Sequence, residues 1–82
     1  MPTEHDVYQQ LTRIFRDTFM REDLNIGPET SARDVAGWDS LHQIMIIVAV
    51  EQQFGIKLST REIDNLKNVG DLARNVITKA GQ

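Results

Sequence analysis

The first twenty residues carry a clear hydrophobic period. Val7, Leu11, Ile14, Phe15, Thr18 and Phe19 recur at steps of three and four. This is one face of an amphipathic helix, with Arg13, Arg16 and Asp17 on the other. Thr3-Glu4-His5-Asp6 sets a hydroxyl at an N-cap with an acid three residues on, so the helix is predicted from Thr3 to Met20. From Arg21 to Trp38 the period is lost and Gly27, Pro28, Thr30, Ser31 and Gly37 punctuate the chain. Loops this long are usually functional or disordered. Leu24, Ile26 and Val35 are spaced as apolar anchors, which predicts an ordered loop pinned to a core, with a short turn near Ala32 to Val35.

The longest apolar run, Ile44 to Val50, follows. It lies in a second helix predicted from Ser40 or Leu41 to Phe54, stopped by Gly55 at C′. Leu41, Ile44, Ile47 and Phe54 are read as its inward stripe. His42, Met45, Val48, Ala49 and Gln52 then face outward. After the connector Ile56-Lys57-Leu58, Ser59-Thr60-Arg61-Glu62 is a capping box that opens a short helix through Leu66. Asn68 caps a last helix, with Asp71 at N3 and a stripe of Val69, Leu72, Ala73, Val76 and Ala80. No segment alternates polar and apolar residues. The expected fold is all-α, a small four-helix bundle of three longer helices and one short one.

With 82 residues the chain fits one domain over 1–82, its core about 3–80. There is no cysteine, hence no disulfide frame and no thiolate nucleophile or metal ligand. His5 and His42 are too far apart in sequence for metal-ligand spacing. The formal net charge of −3 argues against nucleic acid as a partner. The N-terminus lacks the basic and apolar regions of a signal peptide, and Ile44 to Val50 is far too short to span a bilayer. A cytoplasmic protein without membrane insertion is expected.

The candidate chemistry lies at Gly37-Trp38-Asp39-Ser40-Leu41, where the loop meets the second helix. Asp39 or Ser40 could cap that helix. A nucleophilic Ser40 would need an oriented base. His42 lies two positions on, at about 100° per residue, and so points to a different face. No G-x-S-x-G elbow or strand is present to carry one. A hydrolase is not expected, and no catalytic residue is assigned. Covalent modification is chemically apt, because free N–H groups at a helix start stabilise an attached phosphate.

Those residues resemble the Asp-Ser-Leu attachment motif of acyl and peptidyl carrier proteins. The flanks agree over nearly the whole chain. A helix and a long anchored loop precede the motif. The apolar helix ends in Glu51-Gln52-Gln53-Phe54-Gly55-Ile56, similar to a common family ending, and Asn68-Val69-Gly70-Asp71-Leu72 opens the last helix. The resemblance implies a bundle of the acyl-carrier type, with a long ordered loop between helices 1 and 2. It implies that Ser40 receives 4′-phosphopantetheine from coenzyme A by way of a Mg²⁺-dependent phosphopantetheinyl transferase. Asp39 would contribute to that enzyme's metal or recognition environment, and Leu41 would pack against it. The arm's thiol would carry acyl-type cargo for acyl-activating or acyl-transferring enzymes and downstream synthases of a lipid, polyketide or related pathway. The protein itself is expected to be a monomer and not an enzyme.

Fatty-acid carriers of this family bear several acids along the second helix. Here that helix has one, Glu51, with Asp39 just before it. The outward set His42, Met45, Val48, Ala49 and Gln52 is therefore read as a partner surface that docks by apolar packing. This points to a specialised carrier. Trp38 is expected to cover the loop–helix junction, its N–H meeting a carbonyl or water. Arg33 and Asp34 are read as solvated loop charges. Phe15, Ile44, Ile47, Ile63, Leu66, Val69 and Leu72 are core candidates. An aminoacyl or peptidyl carrier, or a non-carrier helical interaction module with Ser40 as a plain cap, would share much of this pattern.

Overall fold

A computed structural model describes residues 3–80; the outermost residues of the expected single domain, 1–2 and 81–82, lie outside that range. Four helices follow one another: α1 (Glu4–Phe19), α2 (Ser40–Phe54), α3 (Thr60–Asp64) and α4 (Val69–Ala80). Among the described residues there is no strand.

The ends are set by local chemistry. Thr3 Oγ1 accepts from the Asp6 N–H at 3.1 Å, and Asp39 does the same for α2 through His42. At α3 both halves of the capping box form, with Glu62 N–H on Ser59 Oγ and Ser59 N–H on Glu62 Oε1. Asn68 Oδ1 accepts from the Asp71 N–H at 2.9 Å, and Asp71 Oδ2 accepts from the Lys67 N–H at 3.0 Å. This second bond draws the chain out of α3 early. The short helix therefore ends at Asp64 rather than Leu66, with a single turn from the Leu66 N–H to the Ile63 carbonyl.

The core joins one face each of α1, α2 and α4. Val7, Leu11, Ile14 and Phe15 meet Ile46, Ile47 and Val50, and Val69, Leu72, Ala73 and Val76 complete it. Ile63 and Leu66 reach this core only partly buried, and α3 has no fully buried residue.

One expected packing direction is overturned. Ile47 is inward and Phe54 partly so, but Leu41 and Ile44 stand 63% and 61% exposed. Ile46 and Val50 take their places. The physical reason is that α2 is apolar on nearly every side from Ile44 to Val50, so periodicity could not fix its rotation. Contact with α1 and α4 fixes it, roughly a quarter turn from the expected phase.

The loop over 21–39 is ordered by its anchors and by hydrogen bonds. Leu24 and Val35 are buried and Ile26 is half-buried against the core. Arg16, expected on the solvent face of α1, instead turns to the loop. Its Nε donates to the Leu24 carbonyl at 2.7 Å and its Nη2 to Asn25 Oδ1 at 2.8 Å. Asp34 stays exposed, as expected of a loop charge, and its Oδ2 also accepts from the Ser31 N–H at 3.0 Å and closes the expected turn. Farther along, Val69 N–H donates to the Thr30 carbonyl and Gly70 N–H to the Pro28 carbonyl at 2.9 Å. The loop is thus tied to the start of α4. Glycine is required at 70, since a Cβ there would stand 2.8 Å from the Pro28 oxygen.

Candidate modification site

The start of α2 is held by an aromatic cluster. The half-buried Trp38 meets Phe15 edge-on at 5.1 Å between ring centres and lies 6.3 Å from Phe19. Its Nε1–H donates to Gln43 Oε1 at 2.7 Å, so the carbonyl it meets is the side-chain amide of a residue in the first turn of α2. Gly37, at φ 88°, makes the sharp approach that lets the Trp38 N–H reach the Val35 carbonyl. The loop therefore delivers residue 39 to a fixed place.

Asp39 is the N-cap of α2, and Ser40 is its first helical residue. Asp39 Oδ1 accepts from the His42 N–H at 2.9 Å, while His42 Nδ1 lies 2.7 Å from the same oxygen. A carboxylate only accepts, so Nδ1 carries the proton. The backbone N–H of His42, followed by its ring, holds the Asp39 carboxyl below the usual range. The His42 ring stacks on Phe19, 5.0 Å apart and 10° from parallel. The cap is thus assigned to Asp39, and Ser40 stands exposed beside it without a capping duty.

Ser40 opens onto a cleft of about 530 Å³ between the start of α2 and the segment joining α3 to α4. Gln43 and Ile44 form one wall, and Leu66, Lys67 and Asn68 the other. The volume falls in the range of small-molecule sites, about 300–1,000 Å³. The mixed apolar and amide-bearing lining suits a slender chain with amide groups. In the first turn of α2, the N–H groups of His42 and Gln43 are bonded to Asp39. Those of Ser40 and Leu41 precede any intrahelical partner and are free to meet an anion at the serine. The residues present therefore fit a phosphate-linked arm.

The family described as "phosphopantetheine attachment site" matches residues 9–76. The chain belongs to this family of phosphopantetheine carriers. It is 30% identical over 69 residues to an acyl carrier protein of Acidothermus cellulolyticus, covering 84% of this chain and 82% of that protein. Among solved structures it is similar to the holo acyl carrier protein of Geobacter metallireducens, determined by solution NMR. That match has a TM-score of 0.86 and 41% identity, over 92% of this chain and 86% of the other. The protein is accordingly a carrier and not an enzyme, and its helical bundle is of the acyl-carrier type.

The expected outward set of α2 divides in two. Met45, Val48 and Gln52 are exposed. His42 is only partly exposed and is engaged by Asp39 and Phe19, and Ala49 packs against the core. Periodicity put Leu41 and Ile44 inward, whereas both stand on the outer face, where the resemblance had Leu41 meet the transferase. With Met45 and Val48 they complete an i, i+3, i+4, i+7 stripe. Nor was there a signal in the sequence for Gln43 as the partner of Trp38, or for Lys67 and Asn68 beside Ser40. Their proximity is a product of the fold.

Proposed function

We propose that Ser40 is the attachment point of the 4′-phosphopantetheine arm. On this reading the chain carries acyl-type intermediates to partner enzymes of a lipid, polyketide or related biosynthetic pathway. The observation that carries this reading is the division of labour at the start of α2. Asp39 caps the helix, so the Ser40 hydroxyl remains exposed at the positive helix end and beside a cleft. A phosphopantetheinyl transferase would supply the group from coenzyme A. Ser40 Oγ bonds to the phosphorus, the pyrophosphate bond of coenzyme A breaks, and adenosine 3′,5′-bisphosphate leaves; a base of the transferase takes the hydroxyl proton. When bound, the arm supplies a thiol that holds cargo as a thioester, the chemistry this cysteine-free chain lacks. The N–H groups of Ser40 and Leu41 would be available to the new phosphodiester, and Gln43 on one wall and Asn68 on the other would offer amides to the arm.

Leu41, Ile44, Met45 and Val48 are proposed to dock acyl-activating or acyl-transferring enzymes and downstream synthases. This would be the helix-in-groove mode, read as anchors at i, i+3, i+4 and i+7. Gln52 continues the strip. Glu51, the one acid within α2, is engaged by the Leu58 N–H at 2.9 Å, so apolar packing rather than charge steering is favoured here. Partner binding that falls steeply with added salt, and that survives both Met45→Ala and Ile44→Ala, overturns this docking mode. We further read the carrier as a cytoplasmic monomer, to be checked by sedimentation equilibrium of the apo and holo forms.

Intact-mass measurement tests the attachment site. Incubation with coenzyme A, Mg²⁺ and a broad-specificity phosphopantetheinyl transferase should add one phosphopantetheine, and Ser40→Ala should abolish the gain. A gain that persists in Ser40→Ala moves the site elsewhere.

A further inference from the structure

His42 is tied down more completely than a surface residue of a helix needs to be. Its backbone N–H and its ring Nδ1–H both end on Oδ1 of Asp39, at 2.9 and 2.7 Å. Its ring plane lies flat against Phe19 at the end of α1, and the side chain is only 29% exposed. Asp39, by contrast, keeps 64% of its side chain open to solvent. Among the described residues, no hydrogen bond to this carboxylate ends on Oδ2. One N–H is enough to make an N-cap. The second bond, from the ring, adds nothing to the capping of α2. What it does is fix the rotation of the carboxylate, because two donors on one oxygen leave the other with a defined direction. The α1 helix supports this through Phe19, which also packs on Trp38 and so shares the cluster that sets residue 39 in place.

We infer that His42 is a positioning residue for the modification of Ser40: it locks Asp39, the residue before that serine, through Oδ1 and thereby presents Oδ2 to a cation of the modifying enzyme. This rests on the reading of Ser40 as the attachment site. A carboxylate oxygen makes its strongest bonds to charged partners, so this exposed Oδ2 would favour a cation, whether a Mg²⁺ ion bound with coenzyme A or a guanidinium of the transferase. His42 does not touch the reacting atoms. It acts through Asp39, and α1 is coupled to the chemistry through the stacked Phe19 ring.

The test compares initial rates of phosphopantetheine addition by a broad-specificity transferase on the wild type, His42→Ala and His42→Gln, with Ser40→Ala as the blank. Glutamine at this position can donate an amide N–H to Oδ1 but has no ring to stack on Phe19. His42→Ala should lower kcat/KM for the carrier about tenfold, the scale of one hydrogen bond to a charged group. His42→Gln should recover most of that rate while melting as low as His42→Ala. This combination separates positioning from stability. A raised Mg²⁺ requirement in His42→Ala supports the inference with the metal as the cation. An unchanged Mg²⁺ requirement with a raised KM supports it with a basic side chain. Wild-type rates in His42→Ala overturn the inference and leave Ser40 as the attachment site. A His42→Gln rate as low as that of His42→Ala overturns it too, since the residue is then purely structural. Wild-type protein that gains no mass overturns the reading of Ser40 and this inference together.

Discussion

The helices α1 and α2 have nearly equal length, 16 and 15 residues, and both give a face to the same core, yet their outer faces differ in kind. The outer side of α1 carries Glu4, Asp6, Arg13 and Asp17, all exposed, as expected of a helix that meets water there. The outer side of α2 carries Leu41, Ile44, Met45 and Val48, at 63, 61, 43 and 46% exposure. Four large apolar side chains in a row on one short helix are not explained by folding, which uses only the opposite side. The contrast sets a water-facing outer side on α1 against an apolar outer side on α2, the side that the proposed docking mode would use.

The largest test of that division lies inside α2. Ile46→Ala removes a side chain with no exposure and should cost about 2–5 kcal/mol, whereas Ile44→Ala should cost less than about 1 kcal/mol. Urea denaturation reads both. Equal losses would mean that Ile44 is a core residue and that the outer stripe has no separate role.

The next test compares the two C-termini. Both helices end in the left-handed region, α2 at Gly55 (φ 65°) and α1 at Met20 (φ 55°). Only glycine adopts that conformation without a steric cost. Gly55→Ala should therefore destabilise by about 1 kcal/mol. Met20→Gly should stabilise by about 0.5 kcal/mol, the strain relieved less the added chain entropy. Met20 is 90% exposed, so little packing is lost with it. A melting temperature that falls in Met20→Gly would show that the exposed side chain has a partner on the protein after all.

The smallest effect concerns α3, which contributes no fully buried residue and leans on polar contacts. Glu62 pairs with Lys79 of α4 at 2.9 Å, and its carboxyl is pulled from an ordinary 4.5 to about 2, first by the Ser59 N–H and then by Lys79. A carboxyl lowered on folding contributes stability that is present above its unfolded pKa and is lost as pH falls through the folded one. The gap in melting temperature between wild type and Glu62→Gln should accordingly be constant above about pH 5 and close toward pH 2. A gap that widens on acidification would contradict the pairing.

Much of the fold was legible because short-range rules decide it. Thr3, Ser59, Asn68 and Gly55 end their helices as their types dictate, and the stripes of α1 and α4 have a polar side to define them. Ser40 was legible as a candidate for a different reason, through the motif and its flanks. The rotation of α2 was not legible, because a helix apolar all round carries no phase. The turn of Arg16 toward the loop was not legible, because its partner is the Leu24 carbonyl, a backbone group whose position depends on the path of the loop.

At Gly37-Trp38-Asp39-Ser40-Leu41 the sequence by itself determined that a helix begins, that a serine stands at its start and that an acid or hydroxyl caps it. Tertiary structure decided which residue caps. The loop, fixed by Trp38 against Phe15 and Phe19, brings Asp39 into the capping position and leaves Ser40 over the cleft. It also decided which side of α2 is left outside, because only the competition of α1 and α4 for an equally apolar surface could choose. Local hydrogen bonding is written in residue order, whereas packing direction is settled between segments far apart in the chain.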